Sequence, residues 1–177
     1  MTHISTITLP EIGAPFEGGF FAGTYLENGC LTALVVAPKA EGEAEDMEWG
    51  GYGKGTAARS LIDGLANTRA IADDNHPAAK FCADLRIGGF DDWHLPALDQ
   101  MTVLRANLMP DSGYVPAQTT AEAFKDEGAE AFDQEWYWSS TEFSANYAWM
   151  QDFGYGYQDG GGKGNSCRCR AVRKILI

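Results

Sequence analysis

Three strand-like runs fill the last quarter of the chain: Trp136-Tyr137-Trp138-Ser139-Ser140-Thr141-Glu142, then Asn146-Tyr147-Ala148-Trp149-Met150-Gln151-Asp152-Phe153, and finally Cys167-Arg168-Cys169-Arg170-Ala171-Val172-Arg173. Rings at alternating strand positions can be buried on one face of a sheet. The stretch between the second and third runs, made of Gly, Tyr, Asp, Lys and Asn, cannot be buried. The pattern requires a rigid sheet that presents a polar, ring-bearing loop.

A second sheet signal lies near the start. Phe20 to Leu26 and Leu31 to Ala37 flank Asn28-Gly29, a dipeptide suited to a two-residue turn because both centres need positive φ. The hairpin is expected to pair Leu26 with Leu31 and Tyr25 with Thr32. Between the two strand regions the spacing turns helical. Thr56 to Ala72 predicts a helix with Ala58, Leu61, Ile62, Leu65 and Ala72 on its buried stripe. Asn75-His76-Pro77 stops it and starts a shorter helix through Leu85. Leu98, Met101, Leu104 and Leu108 mark another before Pro110, and Trp93-His94-Leu95-Pro96 reads as a short strand. Residues 111–135 read as a long irregular excursion with a helical turn around Ala121 to Phe124. Strands at both ends with helices between them indicate an α+β fold that brings the chain ends together. Residues 1–17, with Pro10, Gly13 and Pro15, read as an extended N-terminal arm, and 18–177 as a single domain.

Charge excludes some functions. The chain has 177 residues and a formal net charge of −12, with Lys and Arg scattered singly, so nucleic acid would be repelled. No apolar run reaches the roughly 18 residues of a membrane span, and membrane insertion is not expected. The opening Met1-Thr2-His3-Ile4-Ser5 lacks the features of a secretion signal, so folding in a cytoplasm is expected. Pro38 to Glu48 reads as a solvated acidic loop. Gly50-Gly51-Tyr52-Gly53-Lys54-Gly55 lacks P-loop spacing and reads as a flexible connection. Cys30, Cys82, Cys167 and Cys169 form no zinc signature, and buried thiols are favoured over disulfides.

Gly89-Phe90-Asp91-Asp92-Trp93-His94-Leu95-Pro96 resembles the G-x-x-D-W-R-L-P segment of a bacterial and phage domain family named for the C-terminal domain of a collagen-like bacterial adhesin. Trp138-Ser139-Ser140-Thr141-Glu142, Ala148-Trp149-Met150-Gln151-Asp152-Phe153 and Arg170-Ala171-Val172-Arg173 resemble its other motifs, in the same order. The resemblance covers roughly residues 55–175. It implies a C-type-lectin-like fold related to formylglycine-generating enzymes: an antiparallel sheet with two main helices and long irregular loops. Gly18-Gly19-Phe20-Phe21-Ala22-Gly23 and Ala33-Leu34-Val35-Val36-Ala37-Pro38-Lys39 look similar to the openings of such domains in phage proteins, which implies a virion component, at the tail first. His94 departs from the family's Arg. The Glu-Pro-Asn, Gln-Pro-Asp and Trp-Asn-Asp triplets of calcium-dependent sugar binding are missing, so calcium is unsupported by motif and no cofactor is expected.

Trp93, Trp138 and Trp149 could stack on a sugar, but bulky rings inside strands more often fill core, least clearly for Trp149. Tyr147, Tyr155 and Tyr157 have no dense apolar neighbourhood. Tyr with Gly and Asn is recognition chemistry, and here binding and plain loop structure weigh evenly. The expected ligand-binding set is Asn146, Tyr147, Tyr155, Tyr157, Gln158, Asp159, Lys163 and Asn165. For catalysis, His3, His76 and His94 form no set with a nucleophile, and adjacent Asp91 and Asp92 point apart. The expectation is a non-enzymatic virion tail protein that recognises a host-surface glycan or protein. The alternatives are a structural virion protein that decorates capsid or tail and, third, an enzyme using Cys167. A homo-oligomer, trimer first, or attachment to other tail proteins is expected by analogy.

Overall fold

The computed structural model describes residues 8–177. Among them the chain runs β1 (Pro15–Phe16), β2 (Gly19–Glu27), β3 (Cys30–Val36), α1 (Lys39–Gly42), β4 (Glu43–Glu48), α2 (Gly64–Ile71), α3 (Pro77–Asp84) and α4 (Leu98–Leu108). A single 3-10 turn (Glu122–Phe124) precedes β5 (Trp136–Glu142), β6 (Tyr147–Asp152), β7 (Gln158–Gly162), β8 (Ser166–Arg170) and β9 (Val172–Leu176).

Asn28 and Gly29 take φ of 52° and 80° and close the hairpin with Leu26 opposite Leu31 and Tyr25 opposite Thr32, as the sequence predicts. β9 adds to its far side, with Val36 opposite Val172, so the first sheet has the order β1-β2-β3-β9. The second has the order β4-β8-β5-β6-β7. All neighbours are antiparallel except β5 and β8, which run parallel at Tyr137 and Arg168. Ala171 alone separates β8 from β9. Its backbone bonds Ala37 at 2.9 Å and Gly42 at 2.9 Å, so the two sheets meet at a fully buried residue whose side chain is a single methyl. The class is α+β with antiparallel sheets.

Tryptophans fill one core region. Trp49, Trp93 and Trp138 are all buried with Leu95, Ile71 and Cys169. Each indole N–H finds a backbone carbonyl: Trp138 donates to Met47 (2.8 Å), Trp49 to Ser139 (2.9 Å) and Trp93 to Ile87 (3.3 Å), which removes the polar penalty of burial. The other region gathers Leu34, Phe124, Phe132, Tyr137 and Phe153 beneath α4, whose Met101, Leu104 and Leu108 form the expected stripe.

Several expectations need correction. Trp93-His94-Leu95-Pro96 forms no strand, only a single bridge from His94 to Val172. The helix predicted over Thr56 to Ala72 begins only at Gly64. Asn67 clasps the Ser60 backbone, donating to its carbonyl (2.7 Å) and accepting from its N–H (2.9 Å), while Thr141 donates to the same carbonyl. Asp63 then caps α2 through the Ala66 N–H. These bonds hold residues 56–63 outside the helix, and Leu61 is exposed. Among the described residues there are three helices of eight or more residues rather than two. Pro38 to Glu48 is not a solvated loop but α1 and β4, because Glu43 is buried beside Lys39, Arg168 and Arg170. Burial raises the Glu43 carboxyl despite the neighbouring Arg170. Finally, the expected arm joins the domain from Ile12 onward. Ile12 packs on the second core region, Gly13 donates to the Phe21 carbonyl (2.7 Å) and Pro15 pairs with Phe20. Its first seven residues lie outside the described residues.

Trp138→Ala removes a fully buried ring and should lower unfolding free energy by about 3–5 kcal/mol in urea denaturation. An unchanged midpoint would contradict its core position. His94 gives a second test. It is fully buried, and burial pushes its imidazole down to about 4 against a weaker upward pull from its bond to the Asp92 carbonyl. The unfolded chain then binds the proton more readily than the native one. Stability from this group is complete above the ordinary histidine value and is lost as pH falls towards 4, by about 3 kcal/mol. Urea denaturation at pH 7 and pH 4.5 should show that His94→Gln loses less stability on acidification than the parent. Equal losses would contradict a buried neutral ring.

Candidate recognition site

The loop from β6 to β7 is held from both sides. Phe153 is buried and stacks on Phe132 with centroids 4.1 Å apart and planes 5° from parallel. Asp152 accepts the N–H groups of Gly154 (2.7 Å) and Tyr155 (3.0 Å). The Tyr157 carbonyl accepts from the Asp152 N–H (2.8 Å) and the Gln151 amide (3.0 Å). Gly156, at φ 80°, supplies the turn that an ordinary residue would strain.

What this frame presents is aromatic. Tyr155 and Tyr157 lie with planes 8° apart and centroids 6.0 Å apart, and Tyr114 packs on Tyr155 at 4.6 Å. Tyr114, Tyr155 and Tyr157 are 72 %, 49 % and 64 % exposed, a ladder of rings facing solvent. The neighbouring Tyr114 phenol raises that of Tyr155. Tyr114 is itself placed by a tight turn, in which Asp111 accepts the Gly113 N–H (2.8 Å) and Ser112 donates its N–H to the Val115 carbonyl (3.2 Å). Beside Tyr155 a hollow of about 330 Å³ is lined by Gln134, Glu135, Trp136, Asp152, Ser166 and Cys167. Rings that need no ordering to meet a partner lose little entropy on binding.

The family model of the Lcl C-terminal domain matches residues 41–173. The chain belongs to that family. No curated protein matches it.

Within this Lcl C-terminal domain the expected site residues divide into two groups. Tyr147 and Asp152 bound β6, so the ends of the β6–β7 hairpin lie roughly 17 Å apart at about 3.4 Å per residue. Tyr155 and Tyr157 occupy one end. Asn146, Tyr147 and Asn165 occupy the other, all exposed, where Tyr147 neighbours Phe143 and Phe143 meets Trp149 edge-on at 4.8 Å. Gln158 is exposed, but its amide is already engaged, donating to Thr102 (2.9 Å) and Gln151 (3.0 Å). Asp159 is exposed and accepts the Gly160 N–H (2.7 Å). The eight residues therefore do not form one surface.

Lys163 is a correction. It is fully buried, with Nζ 3.1 Å from Glu142 and 2.8 Å from the Lys54 carbonyl, and it sits over the Trp49 ring at 4.7 Å. Burial raises the Glu142 carboxyl, but the Thr56 and Lys163 bonds outweigh that and hold it low. Lys163 holds the fold together and cannot reach a ligand. Tyr114 is the residue that sequence reasoning missed. Its only signal was a lone ring beside Asp111, Ser112 and Gly113, and nothing local places it against Tyr155.

Chemistry at the remaining candidates is limited. All four cysteines are free thiols. Burial, with Glu135 adding, pushes Cys167 up to about 11, opposite to the activation a nucleophile needs. Asp92 is engaged by Arg173 (2.7 Å). Among the described residues no three His, Cys, Asp or Glu side chains are grouped to hold a metal ion, and no helix is long and apolar enough to cross a membrane.

Lys163→Met leaves the buried Glu142 carboxylate with only the Thr56 N–H and the exposed Arg59 (3.5 Å) and should cost about 3 kcal/mol, whereas Asn165→Ala at the adjacent surface should change stability little. Equal thermal melts for the two variants would contradict the burial of Lys163.

Proposed function

We propose that this chain is a non-enzymatic recognition module of a virion tail, of C-type-lectin-like type, that binds a host-surface glycan or protein through Tyr114, Tyr155 and Tyr157. The observation that carries this reading is the solvent-facing tyrosine ladder on a loop already fixed by Asp152, Gln151 and Phe153. Exposed stacked rings gain nothing for stability that burial would not give better, whereas they offer π-faces to a sugar and broad contact area to a protein. The virion assignment rests on the resemblance of residues 18–23 and 33–39 to phage openings. Several weak sites on one particle would act together by avidity.

One observation favours the structural reading. Leu26, Leu31 and Ile177 are exposed on one face at the far end of the first sheet, where Leu26 pairs with Leu31 and the Ile177 N–H bonds the Leu31 carbonyl. Such a patch suits attachment to a carrier protein or a second copy, and it is compatible with recognition at the tyrosine end.

Binding of purified domain to intact susceptible cells tests the main reading. Tyr155→Ala with Tyr157→Ala should weaken saturable binding at least tenfold, since central aromatic contacts carry about 2 kcal/mol or more, while the melting temperature moves only a few degrees. Binding should change little between low and moderate salt, because rings and hydrogen bonds rather than charge carry it. Undiminished binding by the double variant would refute the assignment.

A further inference from the structure

The glycine-rich segment 50–55 is a fixed wall rather than a flexible connection. Gly50 donates to the Lys163 carbonyl (2.9 Å), Gly53 to the Ala145 carbonyl (3.0 Å), and the Lys54 carbonyl accepts the buried Lys163 ammonium. Gly50, Gly51 and Gly53 all have positive φ. Opposite stands the turn from Asp73 to Pro77, and between them lies a cleft of about 530 Å³, within the roughly 300–1,000 Å³ of small-molecule sites. It adjoins Ala145 and Lys163 and so lies at the end of the hairpin away from Tyr155 and Tyr157.

His76 is the informative residue. It is 9 % exposed, packed edge-on against Trp49 with centroids 5.4 Å apart, and its Nδ1 lies 2.8 Å from the Asp73 carboxylate. That hydrogen bond is the main reason the Asp73 carboxyl stays below its usual range, so Asp73 can only accept and Nδ1 must carry the proton. In the neutral ring Nε2 is then a bare acceptor, and it is buried without a partner. Gly51 sits against it, where an added Cβ would lie 2.6 Å from Nε2. A buried acceptor left unbonded costs about 1–3 kcal/mol, a deficit that a donor would remove by displacing Gly51, which carries no Cβ and closes Nε2 off from the cleft.

The rest of the lining narrows the donor's chemistry. Gly51, Tyr52 and Gly55 have backbone N–H groups with no hydrogen-bond partner among the described residues. Asp73, Asn75 and Glu48 add acceptors, and Tyr52 offers an exposed ring. An anion would meet three carboxylates, from Glu48, Asp73 and Asp74. A bare cation would meet Lys54 and the open N–H groups. Hydroxyl groups both donate and accept, and a pyranose also has an apolar face for Tyr52.

We propose that this cleft is a second binding site, for a single neutral sugar residue, with one sugar hydroxyl donating to Nε2 of His76. The site is independent of the tyrosine ladder.

Nuclear magnetic resonance of the nitrogen-15-labelled chain tests it, with glucose, galactose, mannose and N-acetylglucosamine added separately to millimolar concentration. At least one sugar should shift the Gly51, Tyr52 and Gly55 amides together with the His76 Nε2 resonance. The same shifts should persist in the Tyr155→Ala, Tyr157→Ala double variant, which separates this site from the ladder. Tyr52→Ala, an exposed change that leaves the fold intact, should weaken the response at least tenfold, and His76→Phe should abolish it. The proposal is overturned if none of the four sugars moves these signals. It is equally overturned if the amides move while Nε2 does not, or if only inorganic phosphate or tetramethylammonium produces the shifts.

Discussion

The buried ion pair between Lys163 and Glu142 joins three segments distant in sequence. Glu142 ends β5 and accepts the Thr56 N–H (2.6 Å), while Lys163 follows β7 and bonds the Lys54 carbonyl. The ammonium over Trp49 ties this junction to the tryptophan core. Two charges taken out of water are costly, and the cost is offset only where each remaining lone pair and proton finds a partner. Here the backbone of residues 54–56 supplies those partners, which is why a run of glycines becomes a wall with a defined shape. An apolar pair could fill the same volume, but it could not hold the loop by its backbone.

The β6–β7 hairpin carries the consequence to function. Its inward face packs Ala148 and Met150 against Trp138, and the Gly161 position leaves no room for a side chain there: an added Cβ would lie 2.9 Å from the indole and 2.7 Å from the Met150 sulfur. With the middle of the hairpin committed to packing, only its ends are free. One end holds the tyrosine ladder, fixed by Asp152 and Phe153. The other borders the cleft, fixed by Lys163. Rigidity at both ends lowers the entropy lost when a partner binds, and it comes from buried contacts that no ligand touches.

Local rules made part of this legible. Asn28-Gly29 defined its hairpin register because only primed turns fit two residues there, and α4 followed from the spacing of its apolar residues. Trp93 and Trp138 read as core because a strand has one face to bury. Tyr155 and Tyr157 stood out because no apolar neighbours could cover them. What could not be read depends on contacts across long stretches of chain. Residues 56–63 look helical until Asn67 and Thr141 claim the Ser60 backbone, and Lys163 looks like a surface residue of a polar tip until Glu142, 21 positions earlier, is folded beneath it. The acidic run near Glu43 becomes a strand only because Arg168 and Arg170 arrive from the end of the chain. Tyr114 joins the ladder from the irregular excursion, where periodicity carries no information.

Hydrogen–deuterium exchange of the full chain bound to susceptible cell envelopes addresses the central claim, that the tyrosine end of the hairpin is the recognition surface. Amides of residues 112–115 and 153–158 should gain protection on binding, with the Leu26, Leu31 and Ile177 end of the first sheet unchanged. Protection confined to that leucine end, with the tyrosine loops exchanging as in the free protein, would contradict the account.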